Sequence, residues 1–173
     1  SLALAAKEKK TDPDLDKVQP QKVPAVLADA NIVHLHNHSQ FSILQSTISV
    51  KKLVSATAKA GMTSVALTDH GNMMGAFHFV KEIGQHNKNL ALAKKEALAR
   101  GEPFNQKSIK PIVGCEFFVC DDHSNKSQKD NGYQIVFLAK NKKGYQNLVK
   151  MSSLAYTDGF YYLPRIDRKI IET

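Results

Sequence analysis

The sequence predicts an α/β protein with a mainly parallel sheet covered by helices. Two observations predict it. Strand-like and helix-like segments alternate from residue 31 onward, the order of βαβ units. The residue types that carry chemistry also fall at the ends of the expected strands, where parallel α/β folds gather their loops and helix N-termini.

The elements follow in order. Residues 1–30 contain TDPDLDKVQPQKVP, polar, with three prolines and no sustained period, and read as a linker or tail. The packed domain is expected over 31–173. NIVHLH is read as its first strand, SVKKLVSATAKAG as an amphipathic helix closed by Gly61, and TSVALTDH as a buried strand. A second helix follows Gly75 through AFHFVKEI, passes GQHNKN and continues in LALAKKEALARG, whose Ala and Lys content is strongly helical, until Gly101. KPIVGCEFFV and YQIVFLAK read as strands on either side of the polar loop DDHSNKSQKDNG, and GYQNLVKMSSLAY as a helix.

Composition sets the bounds. A chain of 173 residues, 42% hydrophobic and 23% charged, can bury one core and is neither disordered nor collagen-like in type. Its 24 Lys and Arg against 16 Asp and Glu give a formal charge of +8, which favours polyanions such as nucleic acid, although a solvated basic surface explains the charge equally well. The only cysteines, Cys115 and Cys120, lie in GCEFFVC, which has neither zinc-ribbon spacing nor the density of a disulfide scaffold, so both read as buried, reduced thiols. The apolar runs are short and SLALAAKEKK is no signal peptide, so the expectation is a cytoplasmic protein without membrane contact. A start at Ser1 and a stop in KIIET suggest a piece of a longer chain.

In NIVHLHNHSQFSILQ, an extended backbone would project His34, His36 and His38 from one side. His36 and His38 end the first expected strand, Asp69 and His70 the second, and Glu116 ends or follows the IVG segment of the third. Imidazoles and carboxylates on neighbouring strand ends make a mixed N/O site suited to Zn, Mn or Fe. A lone strand-end histidine is more often a hydrogen-bonded core residue, and TDHGN alone could be a capped turn. Three successive strand ends carrying such groups favour the site.

HLHNHSQFSILQ, GMTSVALTDHGNMMGAFHFVKE, KPIVGCEFFV and LAKNKKGYQNLVKMSSLAYTDGFYYLPRID together resemble the PHP domain at the front of bacterial DNA polymerase III alpha subunits. The resemblance covers most of residues 32–168 in the family's order, and makes 31–173 the N-terminal portion of such a domain. It implies a distorted β/α barrel holding up to three metals in active members. A closed barrel usually needs about 200 residues or more, so a partial barrel is expected here. Carried over by position, the metal ligands are His36, His38, His70 and Glu116; Asp69, beside His70, is read as orienting them from behind. Where the family places an acidic residue and a further histidine, this chain has Gln45 and Gln134. Neutral amides are poorer ligands, so the resemblance implies a partly dismantled site, with metal bound weakly or not at all. His34 is not a family ligand and reads as structural.

Weaker candidates are His78, His86 and His123, expected in a helix, a loop and a polar loop and read as solvated. Tyr161, Tyr162 and Arg165 could stack on and clamp nucleic acid, yet FYYLP reads better as a packed strand edge. Lys140, Lys142 and Lys143 read as solvated turn residues.

The resemblance implies part of a replicative DNA-directed DNA polymerase, a nucleotidyltransferase whose polymerising domain lies elsewhere. No catalytic residue is expected in the fragment itself, which would act as a scaffold or docking module near DNA and a proofreading exonuclease. The alternatives are an active metal-dependent phosphoesterase such as a 3′-5′ exonuclease, and a purely structural metal module.

Overall fold

Ser49 opens the first helix, α1 (Val50–Lys59), where its hydroxyl accepts a hydrogen bond from the Lys52 amide. Val50, Leu53, Val54 and Thr57, spaced one turn apart, form the buried face. Gly61, at φ +68°, turns the chain into β1 (Ser64–Leu67). The computed structural model describes residues 32–172; the expected linker over 1–30 lies outside the described residues.

After β1 comes α2 (Ala76–Ala99), one continuous helix of 24 residues. GQHNKN is therefore helical, and His86 lies in α2 rather than in the loop expected for it. The helix persists because Asn87 turns inward, its side chain bonding both the carbonyl and the amide of Ile109 at 2.8 and 2.9 Å. That contact anchors the chain entering β2 (Lys110–Val119), which is followed by β3 (Tyr133–Leu138), α3 (Lys142–Thr157), β4 (Arg165–Ile166) and α4 (Arg168–Ile171).

β2 is the spine of the sheet. Its first four residues pair in parallel with β1, Ser64 opposite Lys110, and its last six pair antiparallel with β3, Gly114 opposite Leu138. Phe118 and Val119 also pair in parallel with β4. Because β3 occupies one edge of that half of β2, β4 must lie on the other, in line with β1. Gly114 sits at the changeover, where a Cβ would come 2.5 Å from the Phe137 carbonyl. Two strand pairs are parallel and the third is an antiparallel hairpin, so the sheet is mostly parallel, partial and open.

Two expectations are corrected. NIVHLH forms no strand over its described residues. Among the described residues two backbone bonds tie this part of the chain to β1 and the residue after it, from Ala66 to His34 and from Thr68 to Asn37, because side chains take over the ladder. The Asn37 amide donates to the Thr68 hydroxyl, and the Asn37 side chain donates to the carbonyls of His34 and Ala66. Glu116, in turn, lies within β2 rather than at a strand end, since β2 runs on to Val119.

The core has two parts. Val50, Leu53, Val54, Val65, Leu67, Phe79 and Ile83 join α1, β1 and α2. Cys115, Phe117, Leu148, Met151, Ala155 and Ile166 join β2, α3 and β4. Each large apolar side chain removed from water in these clusters contributes about 1.5–3 kcal/mol. The polar site lies where β1 ends against the middle of β2.

Candidate metal centre

Beyond Leu67 the chain continues alongside β2 without leaving it. Glu116 donates its amide to the Asp69 carbonyl at 3.1 Å, Gly71 donates to the Glu116 carbonyl at 2.7 Å, and His70 pairs with Glu116 as a parallel bridge. These backbone bonds fix His70 beside Glu116.

The segment carrying His36 and His38 is held by Asp69. This buried carboxylate accepts hydrogen bonds from the Ser39 amide at 2.6 Å, the Ser39 hydroxyl at 2.8 Å and the Ser42 hydroxyl at 2.7 Å. Ser42 in turn accepts from the His70 amide at 3.0 Å. Gly75 lies against this network, where a Cβ would come 2.8 Å from the Asp69 carboxylate. Asp69 thus positions the histidine segment through its backbone and serines and touches no imidazole. Sequence alone does not single out Ser39 and Ser42. Their signal was weak: serines one and four places after an HxH pair look like ordinary turn residues.

Glu116 is the point of convergence. One carboxylate oxygen lies 3.1 Å from His36 Nε2, the other 3.0 Å from His38 Nε2 and 3.1 Å from His70 Nδ1. His36 Nε2 and His38 Nε2 are 3.2 Å apart. Exposure falls inward, from 54% for the His36 side chain through 20% for His38 and 10% for His70 to 5% for Glu116. Phe118 closes the inner side, its ring centroid 4.3 Å from that of His70. Cys115, on the opposite face of β2, is fully buried, and burial together with the nearby Asp69 charge raises its thiol well above the ordinary range.

His36 Nε2, His38 Nε2 and a Glu116 oxygen lie within 4.8 Å of one another, close enough to share one cation. This N/N/O set fits a divalent ion. A second sign is His70 Nε2, buried without a hydrogen-bond partner, which marks a polar space left incomplete by the protein's own groups.

Gln45 lines a shallow depression with His36, His38 and Ser46. Gln134 pairs with Phe118 across β2 and β3, which by strand alternation puts it on the face bearing Glu116; it is exposed. His34 contributes only its carbonyl, to Ala66 and Asn37. Its ring does not join the cluster because the segment is not a regular strand.

The weaker candidates separate clearly. His78 is exposed and stacks on Phe41, with ring centroids 6.1 Å apart. His123 is half-buried rather than solvated, with Nδ1 2.7 Å from Asp167. Asp122, His123 and Asp167 form a second group that could hold a metal, yet its donors are already committed. Asp167 also caps α4 through the Ile170 amide. Burial would raise its carboxyl, but hydrogen bonds from the His123 ring and from the Ile170 and His123 amides outweigh burial and hold it below the usual carboxylate range. Arg165 is fully buried and donates to the carbonyls of Gly159, Asp130, His123 and Asn125, so it cannot clamp nucleic acid and its fixed charge disfavours a cation beside His123. Lys140, Lys142 and Lys143 are exposed.

The family model described as PHP domain matches residues 34–173. The chain is 39% identical over 144 residues to the DNA polymerase III subunit alpha of Chlamydia muridarum, a match covering 81% of this chain and 10% of that protein. It is 38% identical over 147 residues to the protein of the same name from Borreliella burgdorferi (83% and 11%), and 34% identical over 151 residues to that from Aquifex aeolicus (82% and 11%). The chain spans about a tenth of the length of these relatives.

Proposed function

The chain belongs to the PHP domain family, and from that premise we propose that it is the N-terminal portion of the PHP domain of a replicative DNA polymerase III alpha subunit. In this reading the domain is a scaffold or docking module with a degraded metal site, in a cytoplasmic DNA-directed DNA polymerase that binds DNA as a whole and has a proofreading exonuclease as a partner. Among the described residues no helix is long and apolar enough to cross a membrane.

One observation carries the reading of the site. Three imidazoles meet a single buried carboxylate, while the two positions where the family places a further acid and imidazole hold Gln45 and Gln134. His36, His38, His70 and Glu116 would hold one divalent cation, Zn, Mn or Fe, which when bound would supply positive charge beside the buried carboxylate. Asp69, through Ser39 and Ser42, keeps the two histidines facing Glu116. Two neutral amides cannot hold the second and third cations that multi-metal phosphodiester cleavage needs.

The alternative, an active 3′-5′ exonuclease, draws on the same convergence. Metal content and exonuclease activity of the full-length parent separate the two readings. At most one metal per chain and no cleavage assignable to this domain support the scaffold; metal-stimulated cleavage abolished by Glu116→Ala supports the phosphoesterase.

A further inference from the structure

Sharing no residue with the Glu116 cluster, α1 and α2 enclose a cleft of about 620 Å³, closed on a third side by the segment leading into β2. α1 presents Lys51, Ser55 and Lys59, spaced i, i+4 and i+8, so its lining stripe runs about 12 Å over two helical turns. α2 adds the polar Gln85, His86 and Asn89, and Lys107 faces them from the third side. Among the described residues Glu82 is the only acidic group in the lining. Among the described residues Lys51, Lys59 and Lys107 form no ion pair. Of the formal +8, residues 50–110, the stretch that forms the cleft's three sides, supply +6: ten Lys or Arg against Asp69, Glu82, Glu96 and Glu102.

We propose that this cleft binds the phosphate backbone of a single-stranded nucleic acid. Unneutralised lysines strung along 12 Å suit an extended polyanion rather than one isolated phosphate. A cleft of about 620 Å³ is far too small for a duplex to enter, whereas the backbone of a single strand can lie along it. No Phe, Tyr or Trp lines it, so bases find no stacking platform and recognition is of phosphates, independent of sequence and strongly dependent on salt. The inference stands apart from the metal reading, since a chain that holds no metal can still bind a strand here.

The test uses the full chain and fluorescent oligothymidylate, with affinity read by anisotropy across a salt titration. Each lysine–phosphate contact contributes a salt slope of about 0.7 for single strands, so replacing Lys51, Lys59 and Lys107 together by Gln is expected to flatten the slope by about 2 and weaken binding. The charge-matched Lys140→Gln, Lys142→Gln, Lys143→Gln variant is expected to keep the parent slope. In the unmodified chain, oligothymidylate is expected to protect Lys51, Lys59 and Lys107 from acetylation. Equal losses in the two triple variants, or no protection of these lysines, would overturn the proposal. So would polyglutamate of matched length binding as tightly as the oligonucleotide, which would assign the cleft to an acidic peptide.

Discussion

A carboxylate as buried as Glu116 needs compensating partners, and it finds them in His36, His38 and His70. Asp69 meets the same demand with Ser39 and Ser42. Asp69→Ala would leave a buried amide and two hydroxyls without acceptors, each costing about 1–3 kcal/mol, and is expected to lower the urea midpoint more than Ser42→Ala, at about 1 kcal/mol. Asp167 carries an acid sensitivity. Its pKa is lowered in the folded state, so its stabilisation is complete above the ordinary value of 3.8 and is lost as pH falls through the folded value. Asp167→Asn should therefore flatten the loss of stability below that pH in acid denaturation curves. Much of the histidine–carboxylate cluster was legible in sequence, because HxH, TDH and Glu116 are distinctive residue types in a recognisable order, although only TDH follows directly on a strand. Ser39, Ser42 and the buried Arg165 were not, since serine reads as turn and arginine as surface until the chain folds around them.

At the scale of elements, α2 contains a weak point that can be removed. Gly84 lies in the helix interior with nothing within 4 Å of a Cβ built there. Gly84→Ala is expected to raise stability by about 0.5–1 kcal/mol, read from chemical denaturation. Ser49→Ala should do the opposite by about 1 kcal/mol, through loss of the cap on α1. The helices α1 to α3 and the strands β1 to β3 could be read from apolar periodicity and run length, whereas the two-residue β4 and four-residue α4 are too short to show a period. The missing first strand could not, because its pattern of apolar and histidine residues is strand-like and only the side chains of Asn37 and Thr68 replace the ladder. The antiparallel direction of β3 was equally hidden, since a polar loop fixes no strand direction.

For the molecule as a whole, the open sheet leaves one edge of β3 without a partner strand among the described residues, and Tyr133 and Ile135 on that strand are 80% and 41% exposed. Such an edge favours association, so sedimentation of the chain should show concentration-dependent oligomers that Ile135→Lys suppresses. At the Glu116 cluster, the proposal is that this PHP domain keeps one metal position and has lost the others. Metal content of the full-length parent after equilibration with zinc or manganese, read together with 3′-5′ cleavage of single-stranded DNA, decides it. At most one ion per chain in this domain, its loss in Glu116→Ala, and no metal-stimulated cleavage assignable to the domain are expected. Two or three tightly held ions, with metal-stimulated cleavage that disappears in Glu116→Ala, would contradict it.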